Sequence, residues 1–418
     1  MSEATYYVGD VFDVMATLPD SSVDLVLTSP PFLALRSYLP ADHPDKAKEI
    51  GSEPTPAEFI DTMLALTAEW ERVLAPHGSI CVELGDTYSG AGGSGGDLTN
   101  GSKGDGEAVN SNGNPSIRRA RDLTVGRDDN DGWPMAKSLT GIPTLYAWSL
   151  AYGRNLLTGE PSPAGQWRIR NVVAWVRPNP PVGALGDKFR PGTSYITVAC
   201  KARDRWFDLD DVREPFKHPD HNARNPDRGS GTQGAKVNAD RNDGGGGNWP
   251  STTGGAPPLD WWQVSTEPYS GSHYATWPRK LLERPIRAMC PAEVCRTCGE
   301  PRRRIVGDVC YVLANSGEPV EAQQWERNDT GANRKQVIGR ANGAVRVADT
   351  LGFTDCGHGD YRRGIVLDPF AGSGTTLAVA TGLGRDAIGI DIDERNADLA
   401  RDRCGMFLTV IAPGEAAA

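Results

Sequence analysis

The sequence predicts an α/β protein built on a largely parallel sheet, interrupted by irregular insertions. Two stretches carry that expectation. At the start, "TYYVG" reads as a strand, "VFDVMATL" as a short helix and "VDLVLT" as a second strand, all within thirty residues. Near the end, "GIVLDPFAGSGTTLAVATGLGRDAIGIDID" reads as strand Ile365–Leu367, a glycine turn, helix Thr375–Leu383 and a second strand "AIGID". Composition agrees: 418 residues at 38% hydrophobic content suit one large domain with insertions, or two to three smaller ones, with a sizeable core.

Between these ends the elements follow from local chemistry. The stretch "TPAEFIDTMLALTAEWERVL" places Thr55 as N-cap, Pro56 at the first helical position and Glu58 in a capping box. Phe59, Met63, Trp70 and Leu74 then share one face. An "APHG" turn leads to a strand "SICVEL", and "NVVAWVRP" and "SYITVACKA" are strands further on. Two segments lack regular patterning. Ser89 to Gly132 is dominated by Gly, Asn, Ser and Asp and reads as a mobile insertion, and His218 to Pro250 is a second irregular stretch. There is no internal repeat.

Charge and targeting exclude some classes. The net charge of −10 argues against a protein coated in nucleic acid, although a local basic cleft is a property of a patch and not of a sum. The richest basic stretch is Arg279 to Arg304, where eight Arg and Lys face three Glu; it is either a solvated face or a set of phosphate contacts. "MSEATYYVGD" has no basic region followed by an apolar one, and no apolar run nears the roughly 18 residues of a membrane span, so a cytoplasmic protein is expected.

The two chemistry-bearing corners come next. In "VDLVLTSPPF" a core strand ends at Ser29, then Pro30 and Pro31, which lack backbone donors and lock φ, then the ring of Phe32. That is either a plain strand terminator or a rigid corner with free acceptors. In the C-terminal unit, Gly372 and Gly374 let backbone approach a ligand at a helix N-terminus, and Asp391 ends the second strand, placed for ribose hydroxyls. The ligand is not read through phosphate, because the turn fits neither the dinucleotide fingerprint nor the P-loop.

These motifs resemble those of amino-directed DNA methyltransferases. "DPFAGSGTT" with "GRDAIGIDID" looks like the S-adenosylmethionine site of that family, and "TSPPF" like its catalytic motif. Their order resembles the permuted β group, and "NVVAWVRPNP", "SYITVACKARDRWFDLDDVREP" and "SHYATWPRKLLERPI" resemble further family blocks. Where relatives often carry His-Glu, this chain has Ser194-Tyr195. The resemblance implies a Rossmann-like fold with permuted motif order. Asp368, Pro369, Phe370, Gly372, Gly374, Thr375 and Asp391 would bind the cofactor, and Ser29, Pro30, Pro31 and Phe32 would act on the base. Double-stranded DNA is the implied partner, alongside an unknown restriction endonuclease. A serine opening the corner is commoner in N4-cytosine enzymes, so that amine is favoured over adenine N6. The contrasting reading is a catalytically silent DNA-binding protein. Cytosine C5 chemistry is disfavoured, since it uses a Pro-Cys step that the chain lacks. The expected division is a catalytic half at 1–88, insertions at 89–132 and 217–260 with core between them, a basic linker at 261–362, and a cofactor half at 363–418.

Cysteine usage adds a separate expectation. Eight cysteines in 418 residues are too sparse for a disulfide scaffold, and five of them fall between Cys290 and Cys356, which points to metal rather than oxidation. Cys295 and Cys298, with a turn glycine after them, together with Cys356 and His358, have ligand types suited to one structural zinc; Cys290 or Cys310 are alternates for His358. Cys81, Cys200 and Cys404 read as core or surface residues.

Overall fold

The computed structural model describes residues 2–35, 37–40, 42–89, 132–180, 188–214, 257–267, 277–313 and 344–412. Most of the two irregular stretches lies outside the described residues. In chain order the elements are β1 (Ala4–Val8), α1 (Val11–Met15), β2 (Val23–Thr28), α2 (Pro56–Val73), β3 (Leu74–Leu84), α3 (Ile142–Tyr152), β4 (Arg168–Val176), β5 (Thr193–Cys200), β6 (Trp261–Gln263), α4 (Arg279–Met289), β7 (Glu293–Cys295), β8 (Arg304–Leu313), β9 (Ala344–Phe353), β10 (Tyr361–Arg363), β11 (Ile365–Asp368), α5 (Thr375–Gly382), β12 (Asp386–Asp391), α6 (Arg395–Cys404) and β13 (Leu408–Ile411).

Nine strands form one sheet in the order β13-β1-β12-β11-β2-β3-β5-β4-β6. From β13 to β3 every pairing is parallel; β5 alone runs the other way, paired antiparallel with both β3 and β4. β11 lies between β12 and β2, so strands more than 300 positions apart in the chain become neighbours: Val366 pairs with Leu25 and Ala387. The carboxyl ends of β1, β2, β3, β11 and β12 therefore meet at one edge, joined by the amino end of β5. Both faces are covered, which is why β2 is buried at every position. Along β3, Ile80, Val82 and Leu84 join a core with Met15, Phe59, Met63, Trp70 and Tyr146. The intervening Cys81 turns to the other face and meets Met289 of α4 at 4.0 Å.

Most expected elements are present, with two differences. Thr55 caps α2 as anticipated, its Oγ1 accepting from Glu58 N at 3.2 Å. The "APHG" turn is instead absorbed into β3 as a bulge: pairing jumps from Val23↔Leu74 to Leu25↔Ser79. Gly78 permits this crossing, because a Cβ there would lie 2.9 Å from Asp24 O. Helix α3 was not read from sequence. It begins after Gly141 and ends at Gly153, both left-handed, and buries Ile142, Tyr146 and Leu150.

The chain divides into two compact units. The first holds residues 1–207, 259–302 and 355–418; the second holds 208–258 and 303–354. Within the second, β8 pairs antiparallel with β9, and Arg304 bonds Asp208 at 3.2 Å. The span expected as a basic linker is thus partly core: α4 buries Leu281, Leu282, Ile286 and Met289 in the first unit, leaving Arg279 and Lys280 exposed. Arg302 bonds Glu293 at 2.6 Å, so the basic stretch does not form one uninterrupted free surface.

Candidate active site

The two sequence motifs meet at the carboxyl edge, and one hydrogen bond joins them directly. Thr28 Oγ1, at the end of β2, donates to Asp368 Oδ1 at 2.7 Å, while Thr376 Oγ1 of α5 donates to Oδ2 at 2.6 Å. Phe370 N donates to the same carboxylate at 3.2 Å. Asp368 is buried and its pKa is raised by that burial. Both of its oxygens are occupied by protein, so it ties β2, β11 and α5 together and holds the turn in place.

The turn after β11 is shaped from several sides. Gly372 and Gly374 take φ of 49° and 74°, a region that glycine enters without the Cβ penalty. A Cβ at Gly374 would also sit 2.9 Å from Ala400 Cβ of α6. Tyr6 of β1, fully buried, donates its hydroxyl to Gly372 O at 2.8 Å. Asp391 Oδ2 accepts from Gly372 N at 2.8 Å, and its Oδ1 accepts from Asp393 N at 2.9 Å and Asn396 Nδ2 at 3.0 Å. Asp391 keeps a partly open outer face, yet the protein around it pushes its pKa up to about 6, mainly through desolvation. Pro369 and Thr375 are buried, and the Thr375 hydroxyl accepts from Arg403. Phe370, Gly372 and Asp391 are the expected cofactor residues that retain exposure.

Across the edge, Ser29 Oγ donates to Glu83 Oε2 at 2.6 Å. Glu83, next to last in β3, is 3% exposed, and burial raises its pKa; Ser194, Ser29 and Arg177 offset part of that effect. Glu83 Oε1 and Arg177 Nε are buried with no hydrogen-bond partner among the described residues, and the Ser194 hydroxyl lies within reach of the same carboxylate. Buried polar atoms left this way are costly unless a ligand completes them. The Phe32 ring lies over Gly85, where a Cβ would come within 2.5 Å of Cε2. Pro31 and Phe32 are half-exposed and Pro30 is buried. Arg395 spans the edge: it bonds Asp393 through Nε and donates from its guanidinium to Tyr38 O at 3.0 Å, in the loop that follows the corner.

Sequence reading missed Glu83, Tyr6, Arg177 and Thr376. Glu83 had a signal: an acidic residue at the end of an otherwise apolar strand, "SICVEL", is costly to bury unless it has work there. The Ser194-Tyr195 departure acquires a location, since Ser194 stands next to Glu83 and pairs in register with Trp175. The expected cysteine group is separate from this edge. Cys295, Cys298, Cys356 and His358 come together with their ligand atoms all within 4.8 Å of one another. Cys290 is not among them; it is buried at the end of α4, its thiol pushed well up by burial. The Cys310 side chain lies outside the described residues. Cys81, Cys200 and Cys404 are buried, the Cys81 thiol pushed up to about 12 and that of Cys404 to about 11 by desolvation, as inert core thiols should be.

The largely parallel sheet brings a glycine turn and an acidic strand end together with the Ser-Pro-Pro-Phe corner at its carboxyl edge, where open α/β sheets bind their ligands. The chain belongs to the DNA methylase family, whose profile matches residues 23–294 and 359–402. It is 24% identical over 400 residues to the type II methyltransferase M.XycI of Xanthomonas campestris pv. cyanopsidis, covering 96% of this chain and 87% of that protein. It is 26% identical over 215 residues to M.SfiI of Streptomyces fimbriatus, covering 51% of this chain and 40% of that one. Among solved structures, the cytosine-N4-specific PvuII DNA methyltransferase aligns at TM-score 0.46 and 13% identity over 96% of this chain and 86% of that chain. No helix among the described residues is long and apolar enough to cross a membrane.

Proposed function

We propose that this protein transfers a methyl group from S-adenosylmethionine to the exocyclic N4 amine of cytosine in double-stranded DNA. The carrying observation is the Ser29–Glu83 bond. An exocyclic amine is a poor nucleophile because its lone pair is conjugated into the ring. Since the Ser29 hydroxyl donates its hydrogen bond to Glu83, its Oγ lone pairs are left to accept from the amine N–H, with the Pro30 carbonyl as a second acceptor. Such acceptors favour a more tetrahedral nitrogen whose lone pair points at the methyl group. The nitrogen attacks the methyl carbon, the carbon–sulfur bond breaks, and its electrons remain on sulfur as a neutral thioether. The surplus proton leaves nitrogen through Ser29 to Glu83, a carboxylate whose raised pKa suits it to accept one.

Phe32 offers a face for a base taken out of the duplex, as reaching its amine requires. Phe370, Gly372 and Asp391 hold the cofactor, with Asp391 accepting from ribose hydroxyls. Serine at the head of the corner favours cytosine over adenine N6. Mass spectrometry of nucleosides from DNA incubated with the protein and cofactor tests this reading. N4-methylcytosine is expected; N6-methyladenine alone would overturn the base assignment, and no methylated nucleoside with cofactor bound would support the silent DNA-binding alternative.

A further inference from the structure

The cluster of Cys295, Cys298, Cys356 and His358 lies outside the methylation machinery, and its geometry goes beyond chance proximity. Cys295 Sγ is 3.5 Å from His358 Nδ1, which is 3.4 Å from Cys356 Sγ. A tetrahedral zinc with bonds of about 2.3 Å to sulfur and 2.0–2.1 Å to nitrogen puts those ligand pairs about 3.6 Å apart, so two edges of the tetrahedron are already formed.

The backbone is bent to suit. Gly299, at φ 72°, closes the Cys295–Cys298 turn with its N–H on Cys295 O at 2.9 Å. The N–H groups of Thr297 and Cys298 point at Cys295 Sγ, and that of Glu300 at Cys298 Sγ. Gly357 and Gly359, at φ 82° and 72°, flank His358 and turn it back toward the thiols. Amide donors aimed at sulfur steady a metal-bound thiolate, as outer ligand contacts do in metal sites generally.

The surroundings call for such a clamp. β7 and β10 pair over three residues only, Tyr361↔Cys295 to Arg363↔Glu293. Apart from Val294 and Cys295 that ladder buries little, and Cys298, Cys356 and His358 are exposed. A two-stranded ladder this short does not hold itself. In sequence it is also where the chain departs into, and returns from, residues 303–354.

Strand polarity assigns the cluster's role. Arg362 of β10 and Ile365 N both donate to Asp24, buried near the start of β2, which also bonds His77 at 2.8 Å. The cluster thus sits by the amino ends of β2 and β11, whereas Ser29, Asp368 and Asp391 lie at the carboxyl edge. The four residues of β11 alone put about 10 Å of strand between them.

We infer that Cys295, Cys298, Cys356 and His358 Nδ1 bind one zinc ion, which clamps the β7–β10 ladder and takes no part in methyl transfer. Three thiolates and an imidazole suit zinc and disfavour magnesium or calcium, which take oxygen ligands. Elemental analysis of the full chain, purified without chelator from zinc-supplied cells, should find about one zinc per chain. Reconstitution with cobalt should give thiolate-to-cobalt charge-transfer absorption and the intense visible bands of a tetrahedral ion. Cys298→Ser and Cys356→Ser should drop metal to background, while Cys290→Ala and Cys310→Ala keep it. Chelated protein should melt at a lower temperature yet, while folded, bind S-adenosylmethionine as tightly as before. Metal-free wild-type protein with no tetrahedral cobalt spectrum would overturn the site. Loss of cofactor binding or methyl transfer in chelated protein that is still folded by circular dichroism would overturn the clamp role.

Discussion

If Asp391 accepts from the ribose hydroxyls as proposed above, cofactor binding should depend on pH in a definite direction. The Asp391 pKa is raised to about 6 because burial disfavours the carboxylate more than Gly372 N, Asp393 N and Asn396 favour it. Ribose hydroxyls can donate only to the ionised form if both carboxylate oxygens are to keep their protein donors. Binding therefore selects the carboxylate. At pH 7 about ten elevenths of the groups are ionised and at pH 5 about one eleventh, so affinity for S-adenosylmethionine should fall about tenfold, or about 1.4 kcal/mol, over that interval. The sign follows from linkage: a carboxyl whose pKa is raised on folding stabilises the unliganded fold at low pH, and that contribution is lost as pH rises through about 6. The ligand's donors replace the loss, so binding strengthens as folding alone weakens. Calorimetric titration at half-unit steps between pH 5 and 8 reads the curve, and Asp391→Asn provides the control, binding more weakly but without the slope. Flat affinity in the wild-type protein, or the same slope in Asp391→Asn, would refute the assignment of the ribose to this carboxylate.

Further predictions separate the parts of the edge. Ser29→Ala and Glu83→Gln should each slow single-turnover methyl transfer by about 1.5–3 kcal/mol of activation, the scale of a hydrogen bond to a charged group, with cofactor affinity unchanged in calorimetry. Loss of cofactor binding in Ser29→Ala would reverse the roles of the two halves. Gly85→Ala should displace the Phe32 ring, since its Cβ would fall 2.5 Å from Cε2, and so weaken DNA binding and transfer while sparing the cofactor. Gly374→Ala, strained by φ 74° and by Ala400, should lower both melting temperature and cofactor affinity; wild-type values in thermal melts and calorimetry would show that the turn tolerates a side chain. Asp24→Asn leaves the guanidinium of Arg362 without its counter-charge and should cost about 3–5 kcal/mol in urea unfolding; a cost below about 1 kcal/mol would mean the pair is solvated.

The sequence by itself determined the motifs and the type of each main element. Apolar runs, the Thr55 cap, the Ser-Pro-Pro-Phe corner and the glycine turn are local facts, set by hydrogen-bond geometry and φ within a few residues. Ligand types in the cysteine group were legible for the same reason, because Cys-x-x-Cys and Cys-x-His are short-range patterns. Only the tertiary structure decided what each group faces. Thr28 and Asp368 are 340 positions apart in sequence, and their bond exists because β11 is inserted beside β2. That pairing also saturated both Asp368 oxygens with protein donors and left Asp391 partly exposed, a division no local pattern contains. Glu83 was hidden in an apolar strand until β2 and β5 brought Ser29 and Ser194 to it. The "APHG" turn became a bulge because β3 pairs with β2 on both sides of it, at Leu74 and again from Ser79, which outweighed the local turn preference of Pro76 and Gly78. Propensity acts over a few residues; burial and strand order act over the whole sheet, and where the two disagree here the sheet wins.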